Sequence, residues 1–98
     1  MKMNQIKLSV IIPAYNEEKN LKKGVLDEVG DYLEKSNISF EAILVDDGST
    51  DKTAQILEKE IKKKNGYKLI KNPHGGKAAT VIKGMLSAEG EIVLFTDM

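Results

Sequence analysis

Ninety-eight residues suffice for one small domain with a limited core. Fifteen lysines and no arginine balance fifteen acids, with six lysines against nine acids over residues 1–49 (−3) and nine against six thereafter (+3). That mild gradient lacks the concentrated basic face of a nucleic-acid binder. The absence of cysteine excludes disulfides, thiolate catalysis and cysteine metal sites, and no apolar run approaches the ~20 residues that span a bilayer.

The first element is KLSVIIP, Lys7 to Pro13, β-branched and apolar as a buried strand should be. In AYNEEKN, Asn16 suits a helix N-cap, and Glu17 and Glu18 sit where a helix start favours negative charge. Leu21, Val25, Val29, Tyr32 and Leu33 recur at helical spacing and predict one helix ending near Ser36-Asn37, weakened by Gly24 and Gly30. FEAILVD, Phe40 to Asp46, predicts a second strand, with a turn at Gly48 and a cap at Ser49 or Thr50. A helix over 51–64 follows, with Ala54, Leu57 and Ile61 on one side and the lysine run 62–64 as its solvated end. YKLIK (Tyr67 to Lys71) is a third strand and NPHGGK a loop. Ala78 to Ala88 is a third helix, apolar on more than one side, and EIVLFTD (Glu91 to Asp97) a fourth strand.

Strand–helix three times, then strand, predicts an α/β fold: an open, mainly parallel sheet with helices on both faces. Ligands in such sheets bind beyond the carboxyl ends of the strands. The polar groups that carry chemistry all fall there: Tyr15 to Glu17, Asp46-Asp47, His74 to Lys77, and Asp97.

Each group has a plain and a functional reading. PAYNEE lacks the glycines of a dinucleotide loop; Tyr15 either packs at the sheet edge or stacks on a base or sugar, and Glu17 either complements the helix dipole or accepts a hydroxyl. Asp46 and Asp47 should point to opposite faces and therefore should not chelate one ion together. An Asx turn and cap account for Asp47 and Asp51 but not for Asp46. HGGKAAT is no Walker loop, although free amides at a helix start attract phosphate and Lys77 could reach a diphosphate. His74, without a partner motif, reads as a solvated loop histidine rather than a metal ligand. Asp97 at a strand end fits a hard-metal ligand, or a turn aspartate.

Taken in register, SVIIPAYNEE, VDDGSTDKT, NPHGGKAATVIKGM and GEIVLFTDM resemble the N-terminal half of the inverting family-two glycosyltransferases of GT-A fold, most nearly the polyprenyl-phosphate sugar transferases of the dolichyl-phosphate glucosyltransferase and mannose synthase type. The resemblance covers nearly all of residues 7–98. It implies a Rossmann-like nucleotide-binding half that binds the sugar donor and is truncated at its C-terminal end. The expected activity is transfer of a hexose, with inversion, from a UDP- or GDP-sugar to a lipid phosphate. It implies that Pro13, Tyr15 and Glu17 cradle the nucleotide, that Asp47 contacts the base with Asp46 in support, and that Lys77 lies near the diphosphate. Asp97 matches the first acid of an Asp-x-Asp motif that holds Mg2+ or Mn2+, and the catalytic base is expected beyond residue 98. The chain has Gly-Gly-Lys-Ala where many members have Gly-Lys-Gly. The expected location is cytoplasmic, with the full-length protein at the cytoplasmic face of a membrane. Two alternatives stand beside this reading: a non-catalytic nucleotide-binding module, and a receiver-type phosphoacceptor domain. Receivers carry their acid pair after the first strand and the phosphorylated acid after the third, whereas here the pair follows the second strand and YKLIK ends without an acid.

Overall fold

A computed structural model describes residues 5–96. The elements are β1 (Leu8–Ala14), α1 (Glu18–Lys22), α2 (Val25–Lys35), β2 (Phe40–Asp47), α3 (Thr53–Lys63), β3 (Tyr67–Asn72), α4 (Lys77–Ser87) and β4 (Ile92–Phe95). The four strands form one parallel sheet in the order β3-β2-β1-β4. The chain steps from β1 through β2 to β3 in one direction, then returns past β1 to place β4, so the strand order reverses at β1.

Alternation along the strands builds two cores. Val10, Ile12, Ala14, Ala42 and Leu44 face Leu21 of α1, Leu26 and Leu33 of α2, and Leu57 of α3. Ile11, Ile43 and Val45 point the other way, toward α4. Helices therefore cover both faces, as the element order requires.

The single helix predicted over the first crossover is two. Gly24 adopts φ +89°, a left-handed conformation that breaks the helix between Lys22 and Val25. The break rephases the apolar stripe: Leu26 is buried and Tyr32 is 77% exposed. The 62–64 lysine run is only partly a free end. Lys64 reaches from the end of α3 to Asp27 of α2 at 2.7 Å and to Glu60 at 3.3 Å.

Helix α4 packs by its small residues rather than its large ones. Thr80 and Gly84 are buried against the sheet, while Ile82, Met85 and Leu86 face outward. A Cβ at Gly84 would stand 2.5 Å from Ile11 Cγ2 and 3.3 Å from Val45 Cγ2, so glycine sets the helix-to-sheet distance.

A buried polar cluster lies at the amino-terminal edge of the sheet. Ser9 Oγ donates to Glu41 Oε2 at 2.6 Å, the Glu89 amide donates to the same oxygen at 2.7 Å, and the Gly90 amide donates to Ser9 Oγ at 2.8 Å. The other oxygen, Oε1, faces the Lys68 ammonium at 2.9 Å, an ion pair without hydrogen-bond alignment. Burial pushes the Glu41 pKa up, but the Ser9, Glu89 and Lys68 contacts outweigh it and hold the carboxyl below its ordinary value.

Gly84→Ala should force α4 outward or strain Ile11. Overpacking of this kind costs about 1–3 kcal/mol. In a chain of this size each ~1 kcal/mol lowers the melting temperature by ~4–8 °C, a fall that circular dichroism would read. An unchanged melting temperature would contradict the close approach.

Candidate functional site

Three strand-to-helix turns meet at the carboxyl-terminal edge, and each is built from groups that satisfy its neighbours. Asn16 does not cap its own helix. It adopts φ +52°, and its Oδ1 accepts the amides of Thr50 at 2.8 Å and Asp51 at 3.3 Å. In return, the Asn16 amide donates to Ser49 Oγ at 3.0 Å and the Glu17 amide to Thr53 Oγ1 at 2.8 Å. The α3 start lies later than the sequence predicts, at Thr53, with the Asp51 carboxylate accepting the Thr53 amide at 2.9 Å. The β1–α1 and β2–α3 turns thus cap one another across the sheet edge.

Asp46 and Asp47 point to opposite faces, as alternation predicts, and both are 4% exposed. Asp46 accepts the Ser49 hydroxyl at 2.5 Å and its amide at 3.3 Å, which fixes the turn that follows β2. Asp47 reaches toward the β3–α4 loop, where Oδ1 accepts the Gly75 amide at 2.8 Å and Oδ2 the Gly76 amide at 3.1 Å. His74 Nδ1 lies 2.9 Å from Oδ2 and 3.1 Å from the Asp47 carbonyl oxygen. Burial pushes the Asp47 pKa up. The Gly75 and Gly76 amides donate to the carboxylate, and the Thr80 hydroxyl and the His74 ring lie beside it; together they outweigh burial and hold its pKa below the ordinary aspartate value.

This arrangement revises one expectation from sequence and adds to another. The Gly75 and Gly76 amides before α4 are not free for a phosphate; the chain's own carboxylate occupies them. His74 is a solvent-exposed loop side chain, as the sequence suggests, but it has partners. Its ring stacks on Tyr15, centroids 4.3 Å apart and planes at 28°. The loop can lie this close because Gly48 has no side chain: a Cβ there would be 2.5 Å from the His74 amide nitrogen, and Gly48 holds φ +71°.

The turns enclose a cleft of about 220 Å³, lined by Pro13, Ala14, Tyr15, Glu17, Asp47, His74, Gly76, Lys77 and Thr80. Five residues singled out from the sequence meet in it: Pro13, Tyr15, Glu17, Asp47 and Lys77. Asp46 does not line it, and Asp97 lies outside the described residues. Sequence reasoning placed His74 at this edge without giving it a role in the cleft, and missed Thr80. The loop position of His74 at the carboxyl end of β3 was the available signal; Thr80 gave none. Glu17 Oε1 accepts from Asn20 Nδ2 at 2.8 Å, and the Lys77 ammonium lies 5.8 Å from the centroid of the Phe95 ring on β4. Among the described residues no group of three or more histidines, aspartates or glutamates is placed to hold a metal ion.

An open parallel sheet with a cleft at the carboxyl ends of its strands, lined by aromatic and charged side chains where the strand order reverses, defines a ligand-binding α/β protein of the doubly wound class. Comparison with known proteins narrows that class. Residues 9–98 match the model of glycosyl transferase family 2, and the chain belongs to that family. It is 39% identical over 99 residues to a dolichyl-phosphate beta-glucosyltransferase of Trichomonas vaginalis, covering 95% of this chain and 30% of the relative. Among solved structures it is similar to residues 1–349 of S. aureus TarS in complex with UDP-GlcNAc (37% identity, TM-score 0.70, covering 94% of this chain and 26% of that one). It is also similar to the mannosyltransferase PcManGT of Pyrobaculum calidifontis in complex with GDP-Man and Mn2+ (28% identity, TM-score 0.78, covering 96% and 28%). The sheet and its helices match these GT-A glycosyltransferases. The chain spans about 30% of the length of the curated relatives it matches.

The depressed Asp47 pKa sets the sign of an acid dependence. The unfolded chain protonates more readily, so the stabilisation is complete above about pH 4 and is lost as pH falls through the lower folded value. Asp47→Asn should melt lower at pH 7, by ~4–8 °C for each of the ~1–3 kcal/mol that an unsatisfied buried group costs. It should also lose less on going to pH 3 than the wild type does. Equal acid sensitivity of the two proteins would contradict the assignment.

Proposed function

We propose that the chain is the donor-binding part of a glycosyltransferase that moves a hexose, with inversion, from a UDP- or GDP-sugar to a polyprenyl-phosphate lipid. The observation that carries this reading is the convergence of Tyr15, Glu17, Asp47 and Lys77 on one cleft in a chain of glycosyl transferase family 2. The bound donors of TarS and PcManGT support a nucleoside diphosphate sugar, and the dolichyl-phosphate relatives support the lipid acceptor.

On this reading Tyr15 offers a ring face to the base, an interaction worth about 0.5–1.5 kcal/mol beyond area burial for aromatic pairs. Asp47 is the acceptor beside it. Glu17 accepts a hydroxyl, and Lys77 places positive charge where the diphosphate leaves. The donor set suits a hard divalent cation only through Asp97, outside the described residues, because among the described residues the cleft carries two carboxylates and Asp47 is already hydrogen-bonded. We assign Mg2+ or Mn2+ to Asp97 and the donor diphosphate, with the Mn2+ of PcManGT in support. When bound, that ion would offset the charge that develops on the departing diphosphate. A lipid acceptor would be met at a membrane, and we assign the whole protein to its cytoplasmic face. No helix among the described residues is long and apolar enough to cross one.

The second reading is a non-catalytic nucleotide-binding module, which the same cleft would serve. Both readings need nucleotide binding and part only over transfer.

Calorimetric titration with UDP, UDP-glucose and GDP-mannose in the presence of Mn2+ tests the donor site. At least one should bind. Asp47→Ala should weaken that binding about tenfold or more, the loss of a buried partner, and Asp46→Ala should weaken it less. A folded chain that binds none of the three, or equal losses in two folded variants, would count against the site.

A further inference from the structure

A carboxylate offers about four lone-pair positions. Asp47 gives two of them to the Gly75 and Gly76 amides, and His74 Nδ1 stands 2.9 Å from Oδ2. The ring therefore stands where a ligand would reach the remaining acceptor capacity. Tyr15 is in the same position, since one face of its ring is already covered by His74. The positions that a planar base would take in this cleft, stacked on Tyr15 and beside the Asp47 carboxylate, are both held by one imidazole, whose Nδ1 bonds the Asp47 carbonyl oxygen at 3.1 Å and lies 2.9 Å from Oδ2.

We propose that His74 is a displaceable occupant of the base subsite, and that nucleotide binding moves its ring out. The inference rests on the donor-site reading above. Of the groups around the Asp47 carboxylate, the His74 ring can leave with the loop intact. The two glycine amides hold the loop, and the Thr80 hydroxyl is engaged by the Gly76 carbonyl at 2.8 Å. The His74 backbone remains packed on Gly48, while its side chain is 55% exposed and can rotate to solvent. The ligand it mimics is a flat heterocycle with a ring N–H, as in uracil or guanine. A self-occupied site binds its ligand more weakly in proportion to the fraction of time it is filled. Removing the ring should therefore strengthen binding, the opposite sign from removing a contact residue.

His74 is the only histidine of the chain, so a nitrogen-15 spectrum of the imidazole reports on one ring. The full chain is titrated with UDP and separately with GDP, and affinities are compared for wild type, His74→Ala and His74→Phe. The nucleotide that binds should shift the imidazole signals to those of a solvent-exposed ring. His74→Ala should bind it roughly three- to tenfold tighter, and His74→Phe, which can still stack, should gain less. Binding with the imidazole signals unmoved, or equal or weaker binding by a folded His74→Ala, overturns the proposal. If neither wild type nor His74→Ala, both folded by their amide spectra, binds either nucleotide, the donor-site reading falls and this inference falls with it. Binding by His74→Ala alone supports both.

Discussion

The carboxylate of Asp47 is the contact on which the functional edge depends. It belongs to β2, the strand whose residues are buried over nearly its whole length, and it fixes a loop 28 residues further along the chain. That loop carries His74 onto Tyr15 and opens α4 at Lys77, so the β3–α4 turn takes its position from one side chain, while Asp46 and Asn16 fix the other two turns. The same face of β2 ends in a second buried acid. Glu41 holds the Glu89 amide just after α4, and between the two acids Ile43 and Val45 face the helix. Helix α4 is therefore held at its entry by Asp47, at its exit by Glu41, and in the middle by the contact at Gly84. Its large apolar side chains can face outward because these polar ends and small contacts fix it.

Stability and function draw on the same group. A buried carboxylate is tolerable only when its hydrogen bonds are made, and here the chain itself supplies them. A site that satisfies itself when empty is stable but binds less readily. The compromise visible in the cleft is that the permanent bonds come from main-chain amides and the exposed one from a side chain. Tyr15 is the better probe of ligand contact alone, since it is 41% exposed and contributes to neither core.

Much of this was legible in the sequence. The four strands, the parallel order of elements and the opposite facing of Asp46 and Asp47 follow from β-branched runs and a period of two. The split at Gly24 did not follow, because a glycine within a helical pattern reads as a weak helix position until its φ is known. Asn16 looked like a cap, and it is one, but for the neighbouring turn. Local propensity cannot tell which of two adjacent loops a short polar side chain serves. The partners of Asp47 and Glu41 were hidden for a related reason: contacts across 28 and 48 residues depend on loop paths, which no periodicity encodes.

The cleft is uneven in how firmly it is built. On the Tyr15–Asp47 side, main-chain amides and two mutually capped turns hold the side chains in place. On the Lys77 side, the ring nearest the ammonium is Phe95, from an edge strand whose four residues are all exposed. An edge strand with apolar side chains open on both faces has few contacts to restrain it. On the proposed reading, the base half of the donor site is preorganised by this chain alone. The diphosphate half carries Lys77 at the start of α4, beside the exposed edge strand β4, which pairs with β1. Affinity from the chain should therefore come mainly from the nucleoside, with less contributed by the diphosphate and least by the sugar.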